Sequence, residues 1–308
     1  MNPRADDPRP ELLVNPPGNL LGQQNAVLTG TGRCYYVANF EGCLSIKSVT
    51  SGAASWETPG RRFELRENAY LILNDRQTYT MTIDSALPVS TFCVFFERGF
   101  VEDVFRAKVS SSEDLLENPQ PHSPHIFSVA ERIESQEGSV LRALRRLKAK
   151  LDRGAMVPGE AASDLFHLAE KLVNEDQQTS RASSRLPGVR RATRDELFRR
   201  VLRGRDFLIS SVAVSVSLRE AARAACLSPF HFHRSFMAAF GDTPHRYLTR
   251  YRLERARHLL IESNQSVTEI CADAGFESLG SFSTLFRREF GRSPRECRQS
   301  KKLARLKK

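Results

Sequence analysis

The period of the apolar positions changes twice along this chain. Between Arg33 and about Phe96 they form short β-prone runs, Cys34 to Val37, Leu44 to Val49, Ala69 to Leu73, Thr78 to Ile83 and Thr91 to Phe96. The runs recur at roughly 10-residue spacing, with Asn74-Asp75 as a hairpin turn, and predict a small antiparallel barrel or jelly roll. From Val129 to about Leu151 the period becomes helical, with Val129, Ile133, Val140, Leu144, Leu147 and Leu151 on one stripe. Ala161 to Val173 continues it through Leu165, Leu168 and Leu172, and these stripes cover the barrel or form a dimer interface. Asp176 to Thr193 is rich in Gln, Ser and Arg and holds Pro187-Gly188, the composition of a linker. Residues 1–30, rich in Pro, Asn and Gly, read as a flexible arm.

Past the linker the pattern repeats. Segments offset by 50 residues share eight residues: Ala222/Ala272, Ala224/Ala274, Ser228/Ser278, Phe232/Phe282, Phe236/Phe286, Phe240/Phe290, Gly241/Gly291 and Pro244/Pro294. In each copy the three Phe stand at i, i+4 and i+8, one face of a helix that a Gly and then a Pro terminate. A short Ala-rich helix, a turn, a capping Ser and a longer helix with a buried aromatic stripe make a helix-turn-helix, whose second helix enters a DNA major groove. Pro244 to about Glu262 predicts one rigid linking helix. At ~1.5 Å per residue it spans roughly 28 Å, close to the ~34 Å between successive major grooves on one face of DNA.

Charge agrees with this division. Residues 1–180 carry 19 Lys or Arg against 24 Asp or Glu, and residues 181–308 carry 27 against 12. The overall +10 therefore conceals an acidic half and a strongly basic one, and basic charge concentrated beside a paired helix-turn-helix suits phosphates. The six Cys contain no CxxC pair, which argues against zinc and fits buried thiols in a reducing cytoplasm, a redox pair of Cys34 and Cys43 being the alternative. No run of 18 apolar residues predicts a membrane span, and the N-terminus lacks the pattern of a signal peptide.

Residues from about Thr193 to Arg298 resemble the DNA-binding domain of the AraC/XylS family of bacterial transcriptional regulators. The resemblance rests on Leu218-Arg219-Glu220-Ala221-Ala222, Leu227-Ser228-Pro229 with Phe232 and Phe236, and Gly241 with Pro244 and Tyr247. It continues through Arg252-Leu253, Ala256, Leu259-Leu260, Val267, Ile270-Cys271, Gly275-Phe276, Ser278, Phe282, Phe286, Gly291, Pro294 and Arg298. It covers about a third of the chain. It implies a sequence-specific regulator, most members being activators, with a cupin-like effector-binding barrel at residues 31–120, a helical dimerisation region at 121–175, a linker at 176–192, the DNA-binding domain at 193–298 and a basic tail at 299–308. The fold class is then α+β multidomain: an N-terminal cupin-like β-barrel with helices and a C-terminal all-α double helix-turn-helix.

Helical geometry selects the residues that meet DNA. With Phe232, Phe236 and Phe240 inward, Phe230, His233, Arg234 and Met237 lie on flanking or opposite faces. Arg234 is the principal candidate, since its fork can bind guanine O6 and N7 together; contact with phosphate alone is the alternative. Phe230 is divided between base contact and core, His233 between base and solvent, and the resemblance implies base contact for all three. The second reading helix offers Leu279, Gly280, Ser283 and Thr284. Family members often carry Gln and Arg there, so thymine-methyl or hydroxyl contacts and backbone anchoring are expected instead. Ser228, Ser278, Arg287, Arg288 and the tail from Lys301 to Lys308 are candidate phosphate contacts. Arg252 and Arg255 brace the two units or stay solvated.

In the barrel, Trp56, Arg61, Arg62, Phe63, Tyr70 and Tyr79 are candidate effector contacts near its mouth, against the alternative of a filled structural barrel. No His precedes His122, so a multiple-His metal centre cannot come from these strands, and His122 and His125 read as surface residues. No Walker loop, GxSxG elbow or HExxH motif occurs, so no cofactor and no catalysis are expected. The expected partners are double-stranded DNA, a small-molecule effector, a second copy of the chain in a homodimer, and RNA polymerase if the protein activates. The other reading is a small-molecule-binding or catalytic cupin-like barrel with an accessory DNA-binding part.

Overall fold

A computed structural model describes residues 12–109, 129, 133–134, 138–154, 159–188 and 190–299. His122, His125 and the tail from Lys301 to Lys308 lie outside the described residues. The chain divides after Ser180 into two units.

The first unit is a curled sheet with helices on one face. Its strands are β1 (Leu13–Val14), β2 (Ala26–Glu41), β3 (Ser45–Ser51), β4 (Ala53–Thr58), β5 (Arg61–Arg66), β6 (Tyr70–Leu73), β7 (Thr78–Phe95) and β8 (Ile133–Glu134). They pair in the order β1-β2-β7-β3-β6-β8, with β4 joined to β5 and β7. Successive side chains of a strand point to opposite faces, so this register sorts them. Ile46, Tyr70, Ile72, Phe92 and Val94 pack in one core with Leu144 and Leu147 of helix α2 (Ser139–Asp152) and Leu165, Leu168 and Leu172 of α3 (Glu160–Ser184). The alternate set, with Lys47, Trp56, Phe63, Leu65, Tyr79 and Ile83 all buried, fills the inside of the curl. A further helix, α1 (Phe100–Val109), follows β7.

Several boundaries differ from the sequence reading. The expected arm is partly sheet, because Leu13 pairs with Ala26 in parallel and β2 begins at Ala26. Two of the expected runs, Thr78 to Ile83 and Thr91 to Phe96, belong to one strand, β7. The hairpin β4-β5 has no counterpart in the expected runs, since each strand carries few apolar residues and Phe63 and Leu65 alternate with charged neighbours. The helix expected from Val129 starts at Ser139, just after Gly138, and Ile133 lies in a strand. Helix α3 continues to Ser184, through half of the expected linker.

The second unit is all helix: α4 (Arg191–Ser210), α5 (Leu218–Ala224), α6 (Pro229–Phe240), α7 (Pro244–Glu262), α8 (Val267–Asp273), α9 (Leu279–Phe290) and a last turn over 294–299. The linking helix α7 has the 19 residues expected, capped by Thr243 with Pro244 in its first turn. Each reading helix ends at a left-handed Gly, Gly241 at φ 71° and Gly291 at φ 70°, a conformation that costs Gly little.

Candidate nucleic-acid interface

Both helix-turn-helix units are built by the same local chemistry. Ser217 and Ser266 cap α5 and α8, and Glu220 and Glu269 return a hydrogen bond to each cap, forming two capping boxes. Hydrogen bonds from Ser217 hold the Glu220 carboxyl below the usual carboxylate range, and those from Ser266 do the same for Glu269. Each first helix closes in a Schellman motif. Leu227 N–H donates to Ala222 O at 2.9 Å and Cys226 N–H to Arg223 O at 2.9 Å. In the second unit Phe276 N–H donates to Cys271 O at 3.0 Å and Gly275 N–H to Ala272 O at 2.8 Å.

These motifs correct the repeat. The first helices and their closures correspond at an offset of 49, as Ser217/Ser266 and Ala225/Ala274 do, and the reading helices at 50. The second turn therefore holds one extra residue before its capping Ser278. Ala222/Ala272 and Ala224/Ala274 are chance identities: Ala222 is buried where Ala272 is exposed. At the left-handed position the units differ, Cys226 at φ 52° facing Gly275 at φ 78°.

The aromatic stripes hold the reading helices in place. Phe232 and Phe236 are buried with ring centroids 5.4 Å apart, and Phe236 meets Tyr247 of α7 at 5.3 Å. Phe282 and Phe286 repeat this at 5.6 Å. On α4, Gly204 makes room for the first stripe, since a Cβ there would lie 2.3 Å from the Phe232 ring. Outward, α6 presents Phe230 at 77% exposure, His231, Arg234 and Met237 at 46%, while His233 is half-buried. Arg234 has no ion pair or hydrogen bond among the described residues. Helix α9 presents Leu279 at 39%, Gly280, Ser281, Thr284, Arg287 and Arg288, with Ser283 half-buried. The hydroxyls of Ser228 and Ser278 are occupied as caps, accepting from the amides of His231 and Ser281; what each offers a phosphate is the start of its helix, where free amides and the helix dipole favour an anion.

The candidate effector residues divide by face. Trp56, Phe63 and Tyr79 are buried on the inside of the curl, and Arg61 and Arg62 flank the β4-β5 turn, Arg62 in an ion pair with Glu57 at 3.2 Å. Tyr70 is not with them. It belongs to the core against the helices, and its hydroxyl donates to Glu175 of α3. The inside also holds Lys47, whose ammonium donates to the Tyr79 hydroxyl at 3.0 Å and lies 3.6 Å from the centre of the Phe95 ring. Burial lowers its pKa to about 8 and pushes the Tyr79 phenol and the Cys43 and Cys93 thiols up. A cleft of about 250 Å³ opens between β3 and α2, lined by Val49, Phe92, Leu144, Arg145 and Lys148, and none of the six candidates lines it. Of the cysteines, Cys34 and Cys226 are exposed and the other four buried. Among the described residues no three His, Cys, Asp or Glu side chains group as metal ligands would, and no helix is long and apolar enough to cross a membrane.

The family described as Helix-turn-helix domain matches residues 221–300. The transcriptional activator RhaS of Escherichia fergusonii is 51% identical over 89 residues, 29% of this chain and 32% of that protein. RhaS of Klebsiella pneumoniae is 30% identical over 199 residues, 65% of this chain and 66% of that one. The chain belongs to the AraC/XylS family. It spans between a quarter and two thirds of the length of the curated relatives it matches. The solved DNA-binding domain of AdpA, in complex with a target DNA, is 26% identical and covers 35% of this chain and 97% of that one, at a TM-score of 0.34.

In this AraC/XylS protein the outward stripes differ chemically at equivalent places. Phe230, His231, Arg234 and Met237 of the first reader stand where the second has Gly280, Ser281, Thr284 and Arg287. His231 was not among the residues singled out from the sequence, although it lies one turn before Arg234 on the exposed side. The heptad of spacing from Phe230 to Met237 was the signal available for it.

Proposed function

We propose that this protein is a sequence-specific transcriptional regulator that reads DNA with both helix-turn-helix units, as an activator working with RNA polymerase in the cytoplasm. The observation that carries the reading is the exposed stripe of Phe230, Arg234 and Met237 on a helix whose opposite face is locked by buried Phe232 and Phe236, in a chain of this family. Arg234, Phe230 and His233 make the base contacts of the first reader. Leu279, Gly280, Ser283 and Thr284 make weaker ones in the second. The helix starts at Ser228 and Ser278, with Arg287 and Arg288, anchor phosphates, a role suited to exposed cations at a helix flank.

The N-terminal unit binds a small effector and pairs two copies of the chain; the described opening large enough for a ligand is the cleft between β3 and α2. A change in effector occupancy shifts the population of dimers whose reading units fit their half-sites, and so changes promoter occupancy. No catalytic step is assigned to it. The test is selection of the purified full-length protein on random DNA duplexes at two salt concentrations. A motif of two boxes about one helical turn apart is expected; retention without any preferred sequence, collapsing as salt rises, refutes sequence-specific reading.

A further inference from the structure

Three segments of the DNA-binding unit converge at one point. Arg252, on the linking helix α7, donates from Nε to the carbonyl of Val212 at 2.9 Å and from Nη2 to that of Val214 at 2.7 Å. Both carbonyls lie in the loop between α4 and α5, immediately before the first helix-turn-helix. The turn of the second helix-turn-helix comes to the same place. A Cβ added at Gly275 would stand 2.1 Å from Val212 O and 3.0 Å from Arg252 Nε. The backbone there is left-handed, at φ 78°, and the corresponding place in the first unit tolerates Cys226. Partial burial lowers the pKa of Arg252 from its ordinary value, and the carboxylate of Glu277, the residue that makes the second turn longer, offsets part of that effect.

A guanidinium is suited to this task because its planar fork holds two acceptors in fixed directions. The carbonyls it holds are loop groups outside any helix, and the part-buried one, of Val212, is the one that most needs a donor. The bracket therefore ties the entrance of the first unit, the linking helix and the turn of the second unit together. We propose that Arg252, seated against Gly275, is the positioning residue that fixes the two reading helices relative to each other, and so sets the spacing between DNA boxes that the protein accepts. This rests on the two-unit reading of DNA. It adds that the spacing selectivity comes from a residue that touches no DNA.

The physical expectation follows from linked binding. Two modules on one chain gain affinity through a high effective concentration of the second once the first is bound, and that gain is lost when geometry is loosened or mismatched. Releasing the bracket should leave each module intact and weaken their cooperation.

Two measurements on the full chain decide it. In the first, spin labels on Met237→Cys of α6 and Arg288→Cys of α9, with the exposed Cys34→Ser and Cys226→Gly, report the distance between the readers without DNA. A single narrow distribution is expected in the parent, broadened or displaced by Arg252→Ala and by Gly275→Ala, with Arg252→Lys between. Unchanged distributions in both variants overturn the proposal. In the second, duplexes from the selection are compared with both boxes, with one box, and with two base pairs inserted between boxes, a rotation of about 70°. Arg252→Ala should lose on the order of 10-fold in two-box binding, keep its single-box binding, and suffer less from the insertion than the parent. Equal loss on one and two boxes would overturn the proposal. If the parent selects no two-box duplex, the regulator reading fails, and the label distances still decide whether Arg252 positions the helices.

Discussion

Replacing Lys47 with Met should stabilise the N-terminal unit at neutral pH and lose that advantage as pH rises. The ammonium is buried, donates one hydrogen bond to Tyr79 and rests on the ring of Phe95, and no carboxylate among the described residues figures in its electrostatic environment. Burial brings its pKa from 10.5 to about 8, a fall worth about 3 kcal/mol against the charged form. Met has similar bulk and carries no charge, so the substitution removes that penalty. It forfeits the Tyr79 hydrogen bond, about 1 kcal/mol, and the ring-face attraction, about 1 kcal/mol. The net gain at pH 7 is about 1 kcal/mol. Because the folded pKa is depressed, the unfolded chain binds more protons than the native one between about pH 8 and 10.5. Native stability therefore climbs with pH across that window relative to Lys47→Met, and the difference between the two proteins should swing by about 3 kcal/mol. Trp56 is the single tryptophan and is buried in the same unit, so urea unfolding followed by its fluorescence at pH 7, 8.5 and 10 isolates the transition. A constant difference over that range, or a Lys47→Met protein less stable at pH 7, refutes the account of a buried ammonium without a counter-charge.

Other substitutions probe the DNA-binding unit. Arg234→Ala should relax preference at one base position by about 1 to 3 kcal/mol, whereas Thr284→Ala should change binding little; a competition assay with single-base operator variants that gave equal losses would contradict the asymmetry of the readers. Cys226→Gly relieves a left-handed backbone at a non-glycine residue and should stabilise the unit by about 1 kcal/mol, read as a higher Tm of the helical transition, with no gain counting against strain there. Gly204→Ala drives a methyl into the Phe232 ring and should cost about 1 to 3 kcal/mol through overpacking. Retention of the parental melting temperature would mean that α4 and α6 separate freely.

Legibility followed the strength of local signals. The second unit was readable because each helix from α5 to α9 announces itself by a capping side chain, the longer ones also by large apolar residues at helical spacing, and because Phe, Gly and Pro leave few alternatives. What escaped was the one-residue difference in the turns, since Ala222/Ala272 and Ala224/Ala274 match by chance in an Ala-rich helix and hid the true register. The barrel was less readable. β4 and β5 have a strand period, but Trp56, Phe63 and Leu65 are separated by charged and small residues, so the apolar run that marks a strand is absent. Tyr70 looked like a mouth residue because nothing in a four-residue strand with every position buried says which face it turns to the helices. Lys47 went unremarked for a related reason: a single Lys between Ile46 and Ser48 reads as the solvent face of a strand until both faces prove to be covered. Arg252 reads from the sequence as a brace between the units or a solvated residue, but its partners Val212 and Val214, some 40 residues earlier, are of a range no local pattern encodes.

The unequal turns limit how this domain can be rebuilt. Reading helices can be exchanged between the two units residue for residue, since α6 and α9 correspond at a constant offset. A chimera that moves a whole unit by the same offset would rotate its first helix by one residue, about 100°, and turn Ala222 and Ala225 out of the core. A recombinant regulator therefore has its natural crossover point after the Schellman closure, between Leu227 and Ser228 or between Phe276 and Glu277, where the chain has finished one helix and not yet begun to read.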